Sequence, residues 1–182
     1  MALIEGVQVE PKSAHEVPVV SVVGKSDSGK TTLMEGLIRE LTARGRRVAT
    51  VKNHSHDVDV DIPGKDSWRH AHAGAVTAMI SSPTQFVVIR RVERERTIDE
   101  LVEAAGDADI VLTEGFKRSG SVRIEISRRA RSDELTSEPA TLFALVTDND
   151  DLHVEGVPRF ALDDVGGVAS LIEDTYLKKG DR

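Results

Sequence analysis

Cysteine is absent from all 182 residues, which removes disulfides, thiolate metal sites and cysteine nucleophiles at once. Long apolar runs are missing too. The longest span about five residues, against the roughly 20 that a membrane helix needs, so no membrane partner is expected. Excess positive charge is lacking: the formal net charge is −7, which argues against a surface that coats nucleic acid. The stretch 1–16 has no apolar segment of the secretory kind, and a cytoplasmic location is the expectation. There are no internal repeats and no low-complexity linker.

What is present is ordinary globular composition, 39% hydrophobic and 30% charged, enough for one domain with its own core. Residues 1–16 read as a tail in which Val7-Gln8-Val9 could add a strand, and 17–182 as a single nucleotide-binding domain. The arginines are uneven. Arg90, Arg91, Arg94 and Arg96 cluster, as do Lys117, Arg118, Arg123, Arg128, Arg129 and Arg131. Such clusters are either solvated surface or sites for phosphates of small anionic ligands.

Val17 to Val23 is a nearly continuous apolar run that ends at Gly24, the pattern of a strand buried on both faces. From Thr31 the period changes, with Leu33, Met34, Leu37, Ile38 and Leu41 at helical spacing and Gly45 as a stop. Residues 47–52 return to strand, which completes a βαβ unit. A polar loop over 53–64 and a short helix over 66–73 follow. Residues 76–81 and 85–91 read as a hairpin turning at Ser82-Pro83-Thr84. Thr97 to Glu100 is a capping box before an amphipathic helix. Residues 109–113 and 142–147 read as buried strands, and Asp163 or Asp164 caps a last helix. Val122 to Ile126 alternates apolar and polar, which predicts a half-exposed strand near a sheet edge. The expected fold is α/β, doubly wound around a mostly parallel sheet, with an added antiparallel extension.

Gly24, Gly29, Lys30 and Thr31 meet the spacing G-x-x-x-x-G-K-[ST]. By chance this would arise in roughly one chain of this length in a hundred or two. Here it also lies between a buried strand and an amphipathic helix, the context that a phosphate-binding loop requires. The glycines let backbone N–H groups turn inward on phosphates, and the helix start favours an anion there. Lys30 can bridge the β- and γ-phosphates, and the Thr31 hydroxyl can coordinate Mg²⁺. Lys25 sits where deviant loops of MinD-like ATPases place a second lysine; the alternative is a solvent-facing loop lysine. Ile110 to Thr113 is an apolar strand ending at Glu114-Gly115, so Glu114 can hold the metal through water, or else serve as a helix cap or in a loop salt bridge.

The stretch Thr50 to Trp68, with Lys52-Asn53-His54-Ser55-His56 and Pro63-Gly64-Lys65-Asp66-Ser67, is more specific than the loop. Together with Ala73-Gly74-Ala75 and Glu114-Gly115-Phe116-Lys117, it closely resembles the molybdopterin-guanine dinucleotide biosynthesis protein B (MobB) family, from about Val19 to Leu177. The resemblance implies a GTP-binding, weakly hydrolysing homodimer that assists GMP attachment to molybdopterin by a MobA-type guanylyltransferase. It implies a phosphate site over Gly24, Lys25, Ser26, Asp27, Ser28, Gly29, Lys30, Thr31 and Thr32. A second motif follows at Lys52, His54, His56, Asp59, Asp66 and Ser67, and a third at Glu114, Gly115, Phe116 and Lys117. On this reading Lys30, Asp59 and Glu114 are the catalytic set, with Thr31, Asp59 and Glu114 toward Mg²⁺. His54 and His56 are candidates for phosphate or pterin, or for simple loop hydrogen bonds. Molybdopterin stays open as a ligand, and two histidines alone do not make a zinc site. The Asn-Lys-x-Asp guanine signature is absent, and its nearest analogue is Thr147 to Asp150, with Asp148 or Asp150 as base reader. Two other readings stay open: a non-catalytic GTP-binding adaptor, and a small-molecule kinase with a lid over Arg118 to Arg131.

Overall fold

Val19, Val20, Ser21, Val22 and Val23 are buried without a break, as a strand in mid-sheet must be. The computed structural model describes residues 17–54, 56–116 and 122–177. The strand expected around Val7 to Val9 and the candidate site residue Lys117 lie outside them. The described chain forms two compact units, 17–53 with 97–177, and 54–96.

In the larger unit β1 (Val19–Val23) leads through the phosphate loop into α1 (Lys30–Ala43) and back to β2 (Val48–Lys52). Then come α3 (Ile98–Ala104), β5 (Ile110–Glu114), β6 (Val122–Ser127), β7 (Leu142–Thr147), β8 (Arg159–Phe160) and α4 (Val165–Tyr176). The sheet order is β2-β5-β1-β6-β7-β8, and every pairing is parallel. One face carries α1 and α4: Val20, Val22, Ile110, Leu112 and Ile124 pack there against Leu33, Leu37, Val168 and Ile172. Val19 and Val111 point the other way, onto Val102 and Ile98 of α3. The doubly wound expectation is met, and β1 lies at the centre of the sheet. That placement brings the strand ends flanking β1 beside the phosphate loop. No helix among the described residues is long and apolar enough to cross a membrane.

The reading of β6 as a half-exposed edge strand is wrong. It pairs with β1 on one side and β7 on the other. Its polar alternation is satisfied within the protein: Glu125 is 1% exposed. Its carboxylate accepts from the Thr136 and Ser137 amides at 2.6 and 2.8 Å and from the Thr136 hydroxyl at 3.0 Å. A charge removed from water needs such donors, and this one ties down the chain that follows β6. Among the described residues the edges are β2 and β8, the latter two residues long and without a readable pattern.

Capping behaves as the sequence predicts. Thr97 and Glu100 exchange the reciprocal capping-box bonds, and Asp164 accepts from the Gly167 amide at 2.9 Å. The end of α1 is fastened to α4 by Glu173, which takes Arg44 at 2.9 Å and Arg46 at 2.7 Å. Hydrogen bonds from Arg44 and then Arg46 hold the Glu173 carboxyl below its ordinary value. A depressed folded-state value means stability that is present above the unfolded value, about 4.3, and lost as pH falls through the folded one. Glu173→Gln is therefore expected to cost about 1 kcal/mol at neutral pH. Thermal melts should show the gap to wild type constant down to about pH 5 and closing toward pH 3. A gap unchanged at low pH would refute the ion-pair account.

The smaller unit holds α2 (Asp66–His72) and an antiparallel hairpin of β3 (Thr77–Ser81) and β4 (Phe86–Arg90). The Ser82 hydroxyl accepts from the Gln85 amide at 2.9 Å and fixes the expected turn. Within this unit the hairpin leaves much apolar surface uncovered, including Met79 at 65% and Phe86 at 67% exposure.

Candidate functional site

The loop after β1 is built around two glycines. Gly24 has φ 149° and Gly29 φ 102°, backbone angles that a side chain disfavours. A Cβ on Gly24 would also sit 2.3 Å from the Ile126 carbonyl oxygen, so β6 forms the floor of the loop. Asp27 takes the left-handed conformation without being glycine, at φ 56°. Lys25, Ser26, Asp27, Thr31 and Thr32 are exposed, Gly24 and Ser28 are buried, and Gly29 and Lys30 lie between. Lys30 Nζ folds back over the loop, donating to the Gly24 carbonyl at 3.1 Å and the Lys25 carbonyl at 2.7 Å. A cation suspended over inward-turned backbone is what a phosphate chain needs.

Sheet register supplies the rest. Glu114, the last residue of β5, stands level with Val22 of β1 and Lys52 of β2. Glu114 is buried, at 8% exposure. One carboxylate oxygen takes the Lys52 ammonium in a close ion pair. The other accepts from the Thr31 hydroxyl at 3.5 Å. Below, the Ser21 and Thr113 hydroxyls bond across β1 and β5 at 2.7 Å. Past Glu114, the Asn53 amide donates to the Glu114 carbonyl at 2.9 Å and brackets the turn at Gly115. The structure thus brings together Lys30, Thr31, Lys52, Glu114 and Gly115. The pairing of Lys52 with Glu114 has no signal in the sequence, since it depends on register between strands 62 residues apart.

Thr31 and Glu114 offer a hydroxyl and a carboxylate oxygen, hard donors that fit Mg²⁺, which keeps its waters and binds through few protein groups. In the structure the other oxygen of this carboxylate is taken by the Lys52 ammonium. Among the described residues no group of three or more His, Asp or Glu is arranged as a protein-only metal cage.

Asp59 belongs to the smaller unit and is engaged there. Its carboxylate accepts from Trp68 Nε1 at 3.0 Å and from the Asp61 amide at 3.2 Å. Ser67 donates to Asp61 at 3.2 Å, Asp66 lies 4.0 Å from Arg69, and Trp68 stacks on His72. His54 and His56 are exposed.

Asp148 follows β7 and is exposed, with one oxygen accepting from the Arg129 amide at 2.7 Å. Asn149 is buried and accepts from the Arg129 guanidinium at 3.2 and 3.3 Å. Asp150 pairs with Arg159 at 2.5 Å, a hydrogen bond that lowers its pKa. Arg128, which the sequence marks only as one of a cluster, lies against the phosphate loop, with Nε donating to the Ser28 carbonyl at 3.1 Å.

The chain is similar to known proteins along most of its length. The family model described as "Molybdopterin guanine dinucleotide synthesis protein B" (MobB) matches residues 19–148. A Haemophilus influenzae protein named molybdopterin-guanine dinucleotide biosynthesis adapter protein is 32% identical over 155 residues, 81% of this chain and 87% of its own. An Escherichia coli protein of the same name is 30% identical over 170 residues, 90% of this chain and 95% of its own. A crystal structure of molybdopterin-guanine biosynthesis protein B superposes with TM-score 0.67 at 33% identity, covering 88% of this chain and 99% of that one. Bacillus subtilis MobB superposes with TM-score 0.70 at 25% identity, over 90% and 99%. With a family match over residues 19–148 and relatives 30–32% identical over most of both chains, this chain belongs to the MobB family.

Proposed function

We propose that this protein binds GTP with Mg²⁺ and acts as an adapter in the attachment of GMP to molybdopterin, hydrolysing the nucleotide only slowly. The observation that carries the reading is the convergence of Thr31 and Lys52 on Glu114 beside a loop that already suspends Lys30 over its backbone. Lys30 would neutralise the β- and γ-phosphates, and Mg²⁺ held by Thr31 and Glu114 would supply the remaining positive charge. Lys52 keeps the Glu114 carboxylate oriented toward Thr31. The relatives' name favours the adapter reading over that of a dedicated hydrolase.

The partner in this reading is a MobA-type guanylyltransferase in the cytoplasm. The protein acts as a homodimer, with the apolar hairpin of the smaller unit as the surface that a second copy would cover. Exposed Val76, Met79, Phe86 and Val92 favour that role, because a hairpin alone rarely carries so much uncovered apolar surface.

Guanine choice is assigned to Asp148. In a sheet of this order the phosphates lie at β1 and the base farther along the strand ends, toward β7. Asp148 keeps one oxygen on the Arg129 amide and has the other for the base N–H groups. GTP is expected to outcompete ATP on the wild type. Asp148→Asn should lower GTP affinity roughly ten- to hundredfold, for the loss of hydrogen bonds to a charged acceptor. ATP affinity should change little. Competition titrations with both nucleotides test this, and a wild type that binds them equally would end the guanine assignment.

A further inference from the structure

The turn that follows β6 carries three arginines within four residues, and the structure gives them different employment. Arg129 is spent on the loop after β7, through Asn149 and an ion pair with Asp151 at 3.3 Å. Arg131 faces Asp27 of the phosphate loop at 3.8 Å. It offsets the one negative charge that the loop carries between its two glycines. Arg128 is different. Its Nε donates to the Ser28 carbonyl, and no carboxylate pairs with its guanidinium among the described residues. The same guanidinium runs beside Gly29, with Nε and a terminal nitrogen each 3.5 Å from where a Gly29 Cβ would be.

The position is built rather than incidental. Ile126, two residues earlier, is the floor under Gly24 and Gly29. The turn is closed by the Arg131 and Ser132 amides donating to the Arg128 carbonyl at 2.8 and 3.0 Å. Just beyond, Glu125 anchors Thr136 and Ser137. A long side chain held by one end of its guanidinium against loop backbone keeps its terminal N–H groups for another acceptor. Arginine's planar fork suits paired phosphate oxygens.

We infer that Arg128 is a second cation of the phosphate cradle, contacting the α/β end of a nucleoside di- or triphosphate while Lys30 serves the β/γ end. The two act from opposite ends of the loop: Lys30 reaches back to the Gly24 and Lys25 carbonyls, whereas Arg128 holds to Ser28. The inference rests on the reading of this loop as a nucleotide site, and it deepens that reading by adding a residue outside the motif.

Calorimetric titrations of the full chain with GTP, GDP and guanosine test it, on wild type and on Arg128→Ala, Arg128→Lys and Arg128→Gln, with Lys30→Ala as control. Arg128→Ala should weaken GTP and GDP alike, by about tenfold, as loss of a charge-assisted contact to phosphate does. Guanosine should bind as before, and the melting temperature should hold because Arg128 is exposed. Arg128→Lys should recover much of the loss and Arg128→Gln little, since only the first keeps the charge. Gln restoring what Ala loses would mean that Arg128 merely pins the Ser28 carbonyl, and would overturn the inference. So would unchanged GDP affinity in Arg128→Ala while Lys30→Ala loses GTP. A wild type that binds no GTP would remove the nucleotide reading and this inference together.

Discussion

Lys30→Ala should abolish most GTP binding, by about a hundredfold or more, and leave the fold standing. The size follows from what the ammonium does. It is a positive charge fixed over the loop by two backbone carbonyls, and in a bound nucleotide it would trade them for phosphate oxygens. Charge-assisted bonds contribute about 1.5–3 kcal/mol each, and two of them account for a hundredfold or more. The fold is spared because Lys30 projects from the first turn of α1, away from the Leu33, Leu37 and Leu41 stripe that packs on the sheet. Calorimetry with GTP and a thermal melt read both halves of the expectation. Undiminished affinity would show that this loop is not the phosphate site. A collapsed melt would show that Lys30 holds the loop rather than the ligand.

The loop and its setting were legible in the sequence because several levels agree there. A fully apolar strand, glycines at the turn and a 3.6-period helix all describe one unit, and the structure reproduces them within a residue or two. The hairpin and the capping box were legible for the same reason: Ser82 to Gln85 and Thr97 to Glu100 are local devices whose partners lie three residues away. What failed depends on distant partners. The alternation in β6 suggests water on one side, yet Glu125 finds its donors at Thr136 and Ser137, on chain that returns over the strand. The Lys52 and Glu114 pair exists only because β2 and β5 are neighbours in register. Arg128 was visible as a charge but not as a neighbour of Ser28, 100 residues away. The family motifs do mark the segments involved, but they do not say which side chains meet. Of the second motif, Lys52 falls in the unit with the phosphate loop, whereas Asp59, Asp66 and Ser67 fall in the unit 54–96.

Gly24→Ala should be the most damaging single-methyl change in the nucleotide unit, costing about 3 kcal/mol or more and taking nucleotide binding with it. Two separate penalties meet at this position. The backbone stands at φ 149°, which an L side chain disfavours. The added Cβ would also lie 2.3 Å from the Ile126 carbonyl oxygen and 2.8 Å from the Ser28 hydroxyl. The hydroxyl can rotate, but the carbonyl cannot retreat easily. Ile126 belongs to a strand paired on both sides, with Val22 and Val23 of β1 facing Ile124 and Glu125 and Ile126 itself facing Val146 of β7. Relief must therefore come from lifting the loop off β6, which displaces the N–H groups that would meet the phosphates. Gly45→Ala is the matched control. Gly45 has φ 82° but nothing within 4 Å of its would-be Cβ, so only the backbone term of about 1 kcal/mol applies. Chemical denaturation should rank Gly24→Ala at least 2 kcal/mol below Gly45→Ala. Titration with GTP should find binding kept in Gly45→Ala and lost in Gly24→Ala at temperatures where both are folded. Equal stability of the two variants would mean that β6 yields to the methyl group, and the loop would then not owe its shape to the strand beneath it.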